Sequence, residues 1–401
     1  MAAIHRTGHG PARTGAPHYP AFTTRRAISD EANLDGLRIG GHSGWECAEA
    51  ELCWREAGEV FAAGCLALET GESRRVNAVL EIAYSKPALQ RGLISAIGWT
   101  TSDFWKEVLP CLLNSPDPAA RRIGIAGYAV RREEPAQSWD RLIADDAPDV
   151  RARTLRAAGE LGKVELLPEL RRAVTDHDEP SRFWAAWSAA RLSDRSREVV
   201  QALQEFACRS GVFQDRAMGL VVRVLDMPAA KSWLLALAKN PTMLRTVAIG
   251  IGSSGDPSLA DALFSLMRIS EVARVAGEAF TLITGVDLGE NNLEQDVPAD
   301  FPSGPNDDPA DDNVALDPDE NLAWPNPSKI QRWWNQDRGE LALENRHLLG
   351  KRVTSEWLVE VLRIGFQRQR AAAALELALA QPDRSLFEVR APAFRQHGEA
   401  A

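Results

Sequence analysis

Residues 256–285 read DPSLADALFSLMRISEVARVAGEAFTLITG, and this stretch decides the fold. Leu259, Ala262, Leu263, Leu266 and Met267 fall at i, i+3, i+4, i+7 and i+8, one face of a helix. After a break at Ile269–Glu271, the residues Val272, Val275, Ala276, Ala279 and Ile283 repeat the pattern. Working outward, Arg274 in the second of these helices has counterparts upstream at Arg245, Arg216, Arg182, Arg151, Arg121 and Arg91. The spacings, from the N-terminal end, are 30, 30, 31, 34, 29 and 29 residues. A period near 30 with two helical patterns per unit is the signature of an α-solenoid, in which each hairpin buries its apolar face only against its neighbours.

The punctuation fits that reading. Asp117-Pro118, Pro148-Asp149, Glu179-Pro180 and Asn240-Pro241 place proline early in helices, where its missing N–H costs nothing. Gly98, Gly162, Gly252 and Gly285 are expected to close second helices in the left-handed conformation. Small residues inside those helices, such as Gly92, Gly124, Ala158, Ala189 and Gly277, invite close packing between repeats.

Four segments follow: a disordered N-terminal tail over 1–26, a repeat array over 27–285, an acidic flexible insert over 286–323, and a helical C-terminal cap with an extended strap over 324–401. In the cap, Ile330, Trp333 and Trp334 sit at helical spacing, and Leu358, Val361 and Leu362 form a second stripe. The cap and strap are expected to dock together on the last repeats, around Leu259, Leu263 and Val272.

The net charge of −10 belongs to one place. Residues 286–328 hold twelve Asp or Glu and no Lys or Arg, which leaves 46 basic against 44 acidic side chains elsewhere. A nearly neutral body argues against nucleic acid as the partner, since a basic footprint is required there. No apolar run approaches the roughly 18 residues needed to span a bilayer. Residues 1–24 lack the apolar core of a secretory signal, so no membrane insertion and a cytoplasmic location are expected.

Candidate chemistry is sparse. The five cysteines show no CxxC pair; Cys65, Cys111 and Cys208 read as buried thiols in apolar helices. Gly250-Ile251-Gly252-Ser253-Ser254-Gly255 matches a dinucleotide fingerprint but follows a helix rather than a strand, so a helix end and turn is preferred. Asp317-Pro318-Asp319-Glu320-Asn321 starts like a calcium loop, yet Leu322 and Ser328 stand where that loop needs Gly and Glu, so solvated disorder is preferred. The histidines are too scattered for a metal site, and no nucleophile stands beside a His and an acid. No catalytic residue, cofactor or metal is assigned.

Among twelve tryptophans, core filling between repeats is the first expectation and aromatic anchoring of a partner the second. Trp184, Trp187, Arg182, Trp324, Trp333 and Trp334 are the candidate partner-binding residues. The spaced arginines read as structural, bonding acidic groups or turn carbonyls of adjacent repeats.

Several end motifs carry a resemblance. Leu34-Asp35-Gly36-Leu37-Arg38-Ile39-Gly40-Gly41, Gly58-Glu59-Val60-Phe61-Ala62, Trp324-Pro325-Asn326-Pro327 with Trp333-Trp334, Arg346-His347-Leu348-Leu349-Gly350 and Leu386-Phe387-Glu388-Val389-Arg390-Ala391-Pro392 are similar to those of a bacterial HEAT-repeat family. The resemblance covers roughly residues 27–396; residues 1–26 do not resemble the longer helical N-terminal region usual there. It implies an all-α repeat fold and frequent occurrence near type VI secretion genes, with no established activity. The fold expectation is therefore all-α: an α-solenoid of HEAT-like helical hairpins with a small helical C-terminal cap. The functional expectation is a non-enzymatic protein-interaction scaffold or adaptor, with a type VI secretion association and a protein partner of unknown identity. The alternative is an enzyme on a HEAT scaffold, such as a DNA glycosylase-like repair enzyme or a chromophore lyase. An inward-facing acid beside Trp and Arg in a cleft would favour the alternative.

Overall fold

A computed structural model describes residues 25–298, 301, 317–338 and 341–399. Most of the N-terminal tail, and residues 299, 300 and 302–316 of the acidic insert, including Asp307, Asp308, Asp311 and Asp312, lie outside the described residues. The fold is all-α, and its helices group into two compact units: residues 25–202 with 359–399, and residues 203–358.

In the first unit α1 (Arg25–Ile39) and α2 (Gly41–Glu51) lead into α3 (Ala57–Thr70). Four hairpins follow: α4 (Ser73–Tyr84) with α5 (Pro87–Trp99), α6 (Trp105–Leu113) with α7 (Pro118–Arg131), α8 (Trp139–Ile143) with α9 (Pro148–Glu160), and α10 (Leu167–Ala173) with α11 (Glu179–Arg191). The second helices α5, α7, α9 and α11 stack directly on one another, while each first helix packs on its own partner. The chain crosses to the second unit within α12 (Arg197–Cys208). There α13 (Gln214–Val224), α15 (Leu244–Ser254) and α17 (Ser270–Thr284) form the stack, with α14 (Met227–Leu237) packed on α15 and α16 (Ala260–Leu266) on α17. Then come α18 (Pro327–Asp337) and a two-strand hairpin, β1 (His347–Leu348) antiparallel to β2 (Lys351–Arg352). The chain returns to the first unit within α19 (Ser355–Ile364), followed by α20 (Gln367–Ala380) and α21 (Ala393–Glu399).

Local chemistry explains these elements. Asp117 caps α7 by accepting from the Ala119 N–H at 2.8 Å, and Asp178 caps α11 from the Ser181 N–H at 2.9 Å. Between α9 and α11 the helices approach so closely that a Cβ on Gly159 would sit 2.4 Å from the Ser188 Oγ, which itself donates to the Leu155 carbonyl at 2.7 Å. Glycine inside a helix costs about 1 kcal/mol relative to alanine, and packing between repeats offsets it. The GxGxxG stretch serves the same end: a Cβ on Gly252 would lie 2.9 Å from the Ala279 Cα of α17. Gly98 and Gly252 therefore lie inside α5 and α15 rather than closing them, whereas Gly162 and Gly285 do take left-handed φ values of 75° and 73°.

Burial corrects the cysteine expectation. Cys65 is buried, but Cys111 and Cys208 are exposed. Leu109, Leu112 and Leu113 define the buried side of α6, and Cys111, two residues from Leu109, points away from it.

The C-terminal segment divides, contrary to the expectation that it docks as a whole on the last repeats. Residues 324–358 do pack there. Trp334 meets Phe264 and Phe280 with ring centroids 6.4 and 5.8 Å apart, and the His347 N–H donates to the Gly255 carbonyl at 2.7 Å. Residues 382–395 instead run along the C-terminal ends of the stacked helices of the first unit. Arg191 donates to the Pro382 and Arg384 carbonyls, and the Leu386 N–H donates to the Glu160 carbonyl at 2.8 Å. Arg132 pairs with Glu388 at 3.1 Å, Trp99 Nε1 donates to the Arg390 carbonyl at 3.2 Å, and Arg395 donates to the Gly98 carbonyl at 2.7 Å. The strap thus visits α11, α9, α7 and α5 in turn, against the order of the repeats. Helix C-termini present carbonyls without intrahelical partners at the negative end of the dipole, so an arginine-bearing strap is stabilised there.

Candidate functional site

Five of the spaced arginines, Arg121, Arg151 and Arg182 in the first unit and Arg245 and Arg274 in the second, form ladder rungs at the start of the stacked helices of their own unit. Arg121 donates to Asp145 of the next repeat at 2.7 and 2.8 Å and to the Pro116 carbonyl at 2.8 Å. Arg151 donates to the Asp145 carbonyl at 2.9 Å and lies 3.6 Å from Asp176. Arg182, a candidate for recognition, spends its Nη1 on the Asp176 and His177 carbonyls, both at 2.9 Å. In the second unit the last two rungs take their acids from the turn after the insert. Arg245 meets Asp319 at 2.5 and 2.8 Å, and Arg274 meets Asp317 at 2.6 Å. Both carboxylates of the calcium-like Asp317-Pro318-Asp319 turn are therefore ion-paired rather than free, and Asp319 is buried although Pro318 is exposed.

A second polar cluster lies on α9 and α11, further along the helices. Arg153, Arg156 and Glu160 occupy i, i+3 and i+7 of α9, one face. Arg156 donates to Glu160 Oε1 at 2.7 Å, and Arg153 Nη2 lies 2.9 Å from Oε2, forming an ion pair. Burial alone would raise the Glu160 pKa, but the charges of Arg153, Arg156 and Arg132 outweigh it and hold the carboxyl far below its usual range. Burial brings Arg153 down to about 10, against the attraction of Glu160. Arg153 Nη1 and Trp187 Nε1 are buried without a hydrogen-bond partner among the described residues.

The Arg156 guanidinium lies 4.5 Å from the centroid of a Trp184 ring, a cation–π stack between α9 and α11. Trp184 in turn meets Trp187 edge-on at 5.6 Å and Phe183 at 4.9 Å. Trp187 is buried, while Trp184 is half-buried and presents part of its ring. On the preceding helices Arg122 donates to Gln90, linking α7 to α5, and Arg91 is exposed.

The other candidates sit in the second unit. Trp324 is buried beneath Arg274, whose guanidinium lies 4.8 Å from its ring, and Trp334 is buried against Phe264 and Phe280. Trp333 is half-buried, edge-on to Phe280 at 5.8 Å, and borders an open depression of about 560 Å³ with Asn292, Lys329, Arg332 and Asp337.

Chemically, Glu160 has the neighbours sought for an acid on a HEAT scaffold. Oε1 accepts from Arg156 while Oε2 is ion-paired with Arg153 without a hydrogen bond, and a carboxylate held so far below its usual range is a weak general base near neutral pH. Its geometry is that of a clamp fixing Arg153 and Arg156. Sequence reading singled out Trp184 but missed Arg122, Arg153, Arg156 and Glu160. The signal was present: 30 residues before Arg156 and Glu160 stand Ala126 and Val130, so charge replaces small apolar residues within one repeat. Among the described residues no group of His, Cys, Asp or Glu is arranged to hold a metal, and no helix is long and apolar enough to cross a membrane.

A family model described as HEAT repeats matches residues 139–218, from α8 into α13. The chain thus carries HEAT repeats. No curated protein and no solved structure matches it.

Proposed function

We propose that the chain is a non-enzymatic protein-interaction scaffold, and that its recognition surface is the face of α5, α7, α9 and α11 centred on Trp184 and Arg156. The carrying observation is the Arg156–Trp184 stack, 4.5 Å apart and half-exposed, with Arg156 fixed from behind by the buried Glu160. A rigid aromatic and an oriented arginine are the residue types that dominate binding hot spots. HEAT repeats commonly serve as protein-interaction scaffolds, which supports the same reading. The resemblance of the end motifs extends the proposal to a type VI secretion component or effector as the partner, met in the cytoplasm. Trp333, beside its open depression, is a second contact point in the other unit.

The test is affinity capture from the native host with the full chain and with its Trp184→Ala and Arg156→Lys variants. A protein retained by the parent chain and lost from both variants, at unchanged helical circular dichroism, is the expected result. Equal capture by all three would refute the site.

A further inference from the structure

We infer that the face carrying Arg91, Arg122, Arg153 and Arg156 takes an extended acidic protein segment, with carboxylates about three residues apart and an apolar side chain against Trp184. This rests on the scaffold reading above and names the chemistry of the partner.

Charge is the first observation. Arg91 and Arg156 act on Arg122 as like charges, and Arg122 does so on Arg153, whereas the buried carboxylate of Glu160 is ion-paired with Arg153 and Arg156 alone among these four. Arg122 bonds a neutral amide, Gln90, and only the exposed Asp149 draws on it through space, against the like charges of Arg91 and Arg156. Carboxylates from a partner supply what the face lacks, and guanidinium forks bind them in parallel pairs.

Spacing is the second. The arginines come from helices stacked side by side, roughly 9 Å apart. A chain in the extended polyproline II conformation advances about 3.1 Å per residue with about three residues per turn, so every third side chain returns to the same face and meets the next helix. A segment of about nine residues then spans α5 to α11 and places one side chain on the half-exposed Trp184 ring.

The same observations disfavour a nucleic acid. The chain carries a net −10, concentrated in residues 286–328, and Glu160 and Asp149 interrupt the arginine track itself. A polyphosphate is repelled by both, whereas a short segment with few carboxylates meets mainly the local arginines.

The experiment titrates a fluorescein-labelled peptide of about nine residues into the full chain and follows fluorescence anisotropy. The probe has Glu at every third position, Gly and Ser between, and one Leu. Controls are the same peptide with Gln for Glu and a single-stranded oligothymidine of equal charge. Arg91→Glu, exposed and so tolerant of change, and Arg122→Gln are tested beside the parent chain, with thermal unfolding of each. The expected result is saturable binding of the Glu peptide, about tenfold weaker for the Gln peptide and for each variant, and weakened by salt. No binding, equal affinity of Glu and Gln peptides, indifference to both variants, or tighter binding of the oligothymidine overturns the inference. If Trp184→Ala abolishes partner capture while no acidic peptide binds, the scaffold reading stands and this inference falls. If the peptide binds as expected but capture is unaffected by Trp184→Ala, the inference stands and the scaffold site falls.

Discussion

Glu160 holds the first unit's polar cluster together. Its side chain is 7% exposed and neutralises part of the charge on Arg153 and Arg156. Removing one partner of a buried ionic cluster leaves an uncompensated charge, so Glu160→Gln should lower stability by on the order of 3–5 kcal/mol at neutral pH, read by urea unfolding. Its folded pKa lies below the unfolded value near 4.5, so this stabilisation is present above about pH 4.5 and fades as pH falls further. The gap between parent and variant should close in acid; a gap independent of pH would show that the carboxylate's charge is immaterial. Arg151 belongs to the ladder, and Arg151→Ala should cost about 1–2 kcal/mol, since two turn carbonyls lose a charged donor. An unchanged melting temperature would move Arg151 from structure to recognition. The ladder was legible because its arginines recur every 30 or so residues. The Glu160 cluster occurs in one repeat only, so no period announced it.

The strap and the β1–β2 hairpin are the elements that sequence reading placed least well. Leu386 to Pro392 is visibly extended, but no local signal names the surface it meets. That surface is made of helix ends scattered from Gly98 to Arg191, whose free carbonyls become neighbours only after the repeats stack. Gly162 is the one trace: its left-handed turn leaves room for the Asp383 carbonyl, 2.6 Å from where a Cβ would stand. Truncation after Ala380 should lower the melting temperature and raise hydrogen exchange toward the C-terminal ends of α5, α7 and α9. Unaltered exchange there would make the strap a passenger. In the hairpin, His347 is buried, and burial lowers its pKa below the usual 6.5, with Arg352 adding and the Asn345 carbonyl opposing. The unfolded chain therefore binds the proton first, and stability is lost as pH falls below about 6.5 until the folded value is passed. His347→Gln should remove that slope; an identical slope in the variant would assign it to another group.

At the scale of the whole molecule, the sequence period revealed stacked helical hairpins because each repeat must bury its apolar face on the next. Composition located the charge just as directly, in residues 286–328. What composition could not reveal is that the end of that segment is used: Asp317 and Asp319 close the arginine ladder where no further repeat supplies an acid. Two acids at an insert's edge look like any others until the rungs they meet are known. Only a class of function is proposed from the sequence, since hairpin stacks present many surfaces, and the one proposed here depends on a few side chains such as Arg156 and Trp184. The central claim is that this surface binds a protein, and a photo-crosslinking amino acid placed at position 184 in the native host tests it most directly. The expected result is one dominant protein adduct, diminished by Arg122→Gln and identified by mass spectrometry. Irradiation that yields no protein adduct, or the same adducts as a crosslinker placed on the outward side of α6 at Cys111, would contradict it.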